Sequence, residues 1–253
     1  MTDYILKQLD IWSDRLFTLL FIFILFIGAY ISYDMWYVYS HAGAGTVAGY
    51  KPDEMTDDAL KKISENVIAW ITIDGTTIDY PVLQGEDNVE YLNKDPFGQY
   101  SLSGSVFLDS RNHDDFSDNY NIIYGHHMAN GYMFGALDSF KKPDYFEKHR
   151  TGILYVKNQE YRLRTIGFLI TDANVNAVFD TDFPGDRTLF FEKYSVSAED
   201  MRQGRLVALT TCKEPLTTTR TVLLCVIEGS EGGEKRESVN FNDMLNRKED
   251  SND

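Results

Sequence analysis

Two cysteines and five histidines are the side chains in this 253-residue chain best suited to nucleophilic or metal chemistry. Cys212 closes an apolar stretch, VALTTC, and a polar segment, KEPLTTTR, follows it. A thiol at a strand end beside a loop is within reach of a substrate. Cys225 lies inside TVLLCVI, where period two groups it with Leu223 and Ile227, as for a buried cysteine. A cysteine nucleophile needs a proton manager, and histidine suits the task because its pKa lies near working pH. Of His41, His113, His126, His127 and His149, the pair His126-His127 follows the strand-like NIIYG and so also emerges at a strand end. Arg220 opens the apolar stretch after the Cys212 segment. In an antiparallel pair it returns beside Cys212, where a guanidinium lowers a thiol pKa and donates to an oxyanion.

Competing readings of these residues stand beside that one. Cys212 and Cys225 could form a disulfide in an exported domain. Arg220 could be a strand-edge surface residue, and His127 a structural histidine. A metal site has little support, because there is no HExxH, no CxxC and no carboxylate immediately beside the histidine pair.

The elements that must carry these residues are short and β-rich. VIAWITIDGTTIDYPVLQG alternates around Asp74-Gly75 and predicts a hairpin. Further strands are predicted at Gly104–Leu108, Asn121–Tyr124, Thr151–Val156, Tyr161–Thr171, Arg205–Thr211 and Thr221–Ile227. Helices are predicted at Thr56–Val67, Gly131–Phe140, Leu189–Tyr194 and Ala198–Gln203. Many short strands with a few helices make the chain mostly β (α+β), a closed or nearly closed barrel with helical additions.

One block departs from this pattern. Leu16 to Tyr33 carry no charge over 18 positions, enough to cross a bilayer as a helix. Trp12 precedes the block, and Trp36, Tyr37 and Tyr39 follow it, as an interfacial aromatic belt would. Lys7 and Arg15 come before it, and no Lys or Arg follows until Lys51, which places the N-terminus in the cytosol. A cleaved signal peptide has a shorter apolar core, and a soluble core helix is not apolar on all sides. The expected organisation is a cytosolic N-terminus over 1–15, a transmembrane anchor over 16–39, a linker over 40–55, a globular domain over 56–227 and a polar tail over 228–253. The tail holds eight acidic and four basic residues, as a solvated segment would. A net charge of −15, from 24 basic and 39 acidic side chains, excludes a nucleic-acid binder. An apolar share of 43% excludes a disordered chain.

Ala208-Leu209-Thr210-Thr211-Cys212, with Arg220 eight positions on, resembles the Thr-Leu-x-Thr-Cys signature and arginine of the sortase family. Tyr124-Gly125-His126 resembles the family's histidine motif. WITIDGTTIDYPVLQGEDNVEYLN, GSVFLD and YGHHMANGYMFGAL look like its class B subgroup, and the likeness runs from about Asn66 to Ile227. The resemblance implies an eight-stranded sortase barrel with N-terminal helices and a helix in the loop before the cysteine strand, which Leu189–Gln203 could supply. It implies a membrane-anchored cysteine transpeptidase on the outer face of a Gram-positive membrane. Such an enzyme cuts the C-terminal sorting signal of a secreted protein after Thr and passes the acyl group to an amine of a peptidoglycan precursor. By the same likeness Cys212 is the nucleophile, His126 the general acid and base, and Arg220 the oxyanion stabiliser. Leu83 matches a groove-lining position and Thr210 the residue two before the cysteine, both as substrate-binding residues. No cofactor and no metal are implied. Two departures stand out: Ala208 replaces the first Thr of the signature, and Lys213 stands where some relatives carry an acid. No acidic partner for His126 is evident, although Glu214 is near Cys212 in sequence. Two other functions use the same residues: an unrelated Cys-His peptidoglycan peptidase or transpeptidase, and a non-catalytic tethered surface domain.

Overall fold

A computed structural model describes residues 2–42, 51, 56–128, 131–183, 185–196, 198–202, 204–211 and 218–228. Cys212, Lys213 and Glu214, most of the expected linker, and all of the expected tail but Glu228 lie outside the described residues.

The chain opens with α1 (Thr2–Ala42), which continues beyond both ends of the expected 16–39 anchor. It is long and apolar enough to cross a membrane, and its most apolar stretch buries nothing against the rest of the protein. The globular part begins with α2 (Asp57–Lys61), where Thr56 Oγ1 accepts from Ala59 N at 3.1 Å. The predicted helix ran on to Val67, but the chain leaves it after Lys61 and Val67 opens the first strand.

Eight strands close into a barrel: β1 (Val67–Ile73), β2 (Asp79–Leu83), β3 (Val106–Leu108), β4 (Tyr120–Gly125), β5 (Thr151–Val156), β6 (Gln159–Asp172), β7 (Arg205–Thr211) and β8 (Thr219–Ile227). Their order around the barrel is β1-β2-β3-β4-β7-β8-β6-β5, and β5 pairs back onto β1. β2/β3 and β4/β7 are parallel, and the other pairs are antiparallel. The β5–β6 hairpin turns through Lys157 and Asn158, both with positive φ (51° and 60°), as a two-residue primed turn requires.

Alternation along the strands builds two layers of core. Val207 and Leu209 of β7 and Leu223, Cys225 and Ile227 of β8 point inward, with Ile71, Tyr80 and Phe134. Leu206 and Ala208, with Val222, Leu224 and Val226, point outward and are covered by the β6–β7 connection. That connection holds α3 (Asn176–Phe179), α4 (Arg187–Glu192) and α5 (Ala198–Arg202), and Val178, Phe191 and Met201 descend from it onto the sheet. Burial on both faces explains why β8 reads as an unbroken apolar run in the sequence. A third cluster seats Leu60 of α2 against Trp70, Leu83, Tyr91 and Phe107. The stretch predicted as helical from Gly131 is a 3-10 helix over Phe134–Lys141 that packs against β7 and β8.

Candidate active site at the barrel rim

The parallel pairing of β4 and β7 brings the candidate residues together. Register pairs Tyr124 with Thr210 and Gly125 with Thr211, at the ends of both strands. The next residue along β4 is His126; the next after Thr211 is Cys212, which lies outside the described residues. On the other flank of β7, Thr210 pairs with Val222 of β8, two residues from Arg220. His126 and Arg220 therefore flank the strand that leads into Cys212. A parallel pairing between strands more than eighty residues apart is a long-range contact of the barrel, outside the reach of local sequence pattern.

His126 is half-buried, and its Nε2 lies 2.7 Å from the carbonyl oxygen of Leu92. A carbonyl only accepts, so Nε2 carries the hydrogen, and Nδ1 is the nitrogen left to take or give a proton. Leu92 ends a 3-10 turn (Glu90–Leu92) in the β2–β3 connection. The approach depends on Gly104: it has φ of +56°, and a Cβ there would fall 2.5 Å from Leu92 O and 2.9 Å from His126 Cδ2. Only glycine holds that backbone conformation in that space at no steric cost. Gly125 has a similar role one residue before His126, because a Cβ would meet the Phe134 ring at 2.8 Å.

Arg220 is 3% exposed, and its Nη1 donates to Thr219 O at 2.7 Å. It shares the outward parity of Val222 and pairs with Thr171 of β6. His127 turns to another partner: its Nε2 is 2.7 Å from Asp138 Oδ2. Asp138 Oδ1 accepts from Thr221 Oγ1 at 3.3 Å, and Thr221 N donates to Thr211 Oγ1 at 3.1 Å.

Two residues before His126, Tyr124 reaches a fully buried carboxylate. Asp109 takes a two-pronged contact from Arg111, Nε to Oδ1 at 2.9 Å and Nη2 to Oδ2 at 2.7 Å. It also accepts from Tyr124 Oη at 3.1 Å and Asn88 Nδ2 at 2.9 Å. Burial pushes the Asp109 pKa up, but the Arg111 contacts and the Tyr124 hydroxyl outweigh it and hold the carboxyl below its ordinary value. Arg111 reaches on to Phe179 O at 2.9 Å, so the same carboxylate also ties down the β6–β7 connection.

The remaining predicted residues sit in the wall. Leu83 has no exposed surface and packs in the third cluster. Thr210 is equally buried, and its Oγ1 meets no hydrogen-bond partner among the described residues. Cys225 is a buried free thiol whose pKa is pushed up to about 12 by burial. A thiol so raised is a poor nucleophile, and Cys225 carries it free, outside any disulfide. Among the described residues no group of three or more His, Cys, Asp or Glu could hold a metal ion. Sequence reasoning missed the Leu92 carbonyl, Gly104, Asp109 and Asp138. Gly104 in LSGS carried a turn signal; a backbone carbonyl carries none.

Comparison with known proteins agrees with this geometry. The model of the sortase domain family matches residues 71–228. Sortase B of Staphylococcus aureus is 32% identical over 180 residues, 67% of this chain and 73% of that protein. Sortase B of Listeria monocytogenes is 33% identical over 186 residues, 69% and 74% of the two chains. The crystal structure of a Streptococcus pyogenes class B sortase involved in pilus biogenesis superposes with a TM-score of 0.59 at 38% identity, covering 68% of this chain and 97% of that one. Closed barrel, rim histidine and matching relatives lead to one assignment: the chain belongs to the sortase family, as a class B sortase.

Proposed function

We propose that this sortase is a membrane-anchored cysteine transpeptidase that cuts sorting signals after Thr and joins the released protein to a cell-wall amine. The observation that carries the reading is the Gly125–Thr211 register, which makes His126 and Cys212 successors of paired residues on parallel strands. The Cys212 thiolate attacks the Thr carbonyl carbon, and the carbonyl electron pair moves onto oxygen. Arg220, buried and cationic on the neighbouring strand, stabilises that oxyanion. As the C–N bond breaks, His126 delivers its Nδ1 proton to the leaving amine, and a thioester remains. The incoming amine attacks the thioester, gives its proton back to His126 and expels the Cys212 thiolate. A thioester retains acyl-transfer energy, so an amine competes with water for it.

Relatives supply support from outside the chain. The Staphylococcus aureus enzyme has been solved as a substrate complex, and a sortase B has been solved with a glycine tripeptide. A short peptide with a free terminal amine is the type of acceptor this mechanism requires. Leu83 and Thr210 act here as wall residues beneath the groove, since neither has exposed surface. The long apolar α1 anchors the enzyme, with the barrel on the outer face of the membrane.

The test uses the full chain in detergent micelles and a library of quenched peptides shaped like sorting signals. Cleavage after Thr, abolished in Cys212→Ala and redirected to aminolysis by added triglycine, is the expected result. Equal cleavage by Cys212→Ala, or cleavage of no peptide at all, overturns the reading.

A further inference from the structure

Three residues adjacent in sequence to the proposed catalytic groups belong to one hydrogen-bonded chain. His127 follows His126, Thr211 precedes Cys212 and Thr221 follows Arg220. Asp138 receives His127 Nε2 on one carboxylate oxygen at 2.7 Å and Thr221 Oγ1 on the other at 3.3 Å. Thr221 N in turn donates to Thr211 Oγ1 at 3.1 Å. The chain therefore runs His127–Asp138–Thr221–Thr211 and links the end of β4, the 3-10 helix, β8 and β7.

Strand alternation gives the arrangement its meaning. Thr211 and Thr221 share parity with the inward Leu209 and Leu223, whereas Arg220 shares parity with the outward Val222. The Asp138 chain lies behind the sheet ends, on the side opposite Arg220. Contacts on the inner side fix the backbone from which the outward side chains project. The segment between β4 and the 3-10 helix is closed by a further bridge between His127 and Met133, so Asp138 ties a closed loop to β8.

We propose that Asp138 is a positioning residue for the transpeptidation, holding the ends of β4 and β8 at the spacing that sets His126 against Arg220. The inference rests on the assignment of His126 and Arg220 to the reaction. Asp138 touches neither residue's side chain in any contact described above, so its effect passes through His127, Thr221 and the backbone. A displacement of about 1 Å between reacting groups costs up to about 100-fold in rate. Asp138 is 58% exposed and the Thr221 contact is long, so the expected loss is smaller, about tenfold.

The experiment compares Asp138→Ala, Asp138→Asn, Thr221→Val and the double variant Asp138→Ala/Thr221→Val in the full chain. Cleavage of the best signal peptide is measured as kcat and KM, with thermal midpoints alongside. Asp138→Ala should lower kcat about tenfold with KM changed less than about twofold and an unchanged midpoint. Asp138→Asn should recover to within about threefold of wild type, because its amide oxygen accepts from His127 and its NH2 donates to Thr221. The double variant should lose less than the product of the two single losses, as coupled residues do. Wild-type kcat in Asp138→Ala, no rescue by Asn, or fully multiplicative losses overturns the inference. His126→Ala and Arg220→Ala run in parallel. If these two lose activity while Asp138→Ala does not, the inference alone falls; if either keeps wild-type turnover, the site assignment falls and the inference with it.

Discussion

Asp109 and Asp138 both serve the rim that carries His126, but their surroundings differ. Asp109 has no exposed side-chain surface and four side-chain contacts, two of them from a guanidinium. Asp138 is 58% exposed and accepts one contact from a histidine and a long one from a hydroxyl. A buried carboxylate without its partners has nowhere to turn, and its donors are orphaned when it is removed. An exposed one is replaced by water, so its removal costs little stability and changes mainly where the chain sits. The difference divides the rim into a side that keeps the protein folded and a side that sets the geometry of the reaction.

The sharpest way to break that division is Asp109→Ala. It strands Arg111, Tyr124 and Asn88, and it releases the tie to Phe179. Arg111 is 43% exposed and can turn to solvent, which moderates the loss. The expected cost is about 2–4 kcal/mol, measured by urea denaturation of the full chain in micelles. A loss as small as that of Asp138→Ala would erase the distinction between the two carboxylates. Acid provides the same comparison without a mutation. The folded Asp109 pKa is depressed, so its contribution is present above the unfolded pKa and is lost as pH falls through the folded value. Wild type should lose stability below about pH 4, and Asp109→Asn should lack that component of the loss.

Next in size is Gly104→Ala, which attacks the rim beside His126. The added Cβ would meet Leu92 O and Tyr91 O at 2.5 and 2.6 Å, both backbone atoms, with φ at +56°. Backbone cannot swing aside as a side chain can, so the Leu92 carbonyl must shift from His126. The expected result is about tenfold lower kcat together with a stability cost of about 1–2 kcal/mol. Peptide cleavage and denaturation on the same sample check both. Unchanged kcat would mean that the Leu92 carbonyl does not set the working tautomer of His126.

The legible and illegible parts of this site follow the range of the interactions involved. The strands were readable because alternation and continuous apolar runs are local, and six of them fall close to their predicted spans. Cys225 was readable as a core thiol from its place in TVLLCVI, and the structure buries it fully. The Thr56–Val67 helix ended early, at Lys61, and sheet pairing takes Val67, a tertiary claim that outweighs helical spacing. The linkage of Asp109 to Asn88 and Tyr124 joins the β2–β3 and β3–β4 connections to β4 and leaves no periodic trace. Asp138 was equally silent, since an acid on an exposed helical turn resembles any solvated residue. The family resemblance named the proposed nucleophile, base and arginine; the groups proposed to hold them in place emerged only from the fold.

Thr210 provides the finest test of what belongs to the wall and what belongs to the groove. The resemblance gives it a substrate-binding role, yet it has no exposed surface and its Oγ1 has no hydrogen-bond partner among the described residues. A buried hydroxyl without a partner carries a desolvation cost that a methyl of the same shape does not. Thr210→Val should therefore be neutral or raise stability by up to about 1 kcal/mol, because valine keeps the β-branched shape at a strand position. If Thr210 is wall, kcat and KM stay within about twofold of wild type. If its hydroxyl meets the signal peptide in a conformation the enzyme adopts on binding, KM rises while stability still improves. That split would move Thr210 from the wall to the groove and show that the rim around Arg220 opens when substrate arrives.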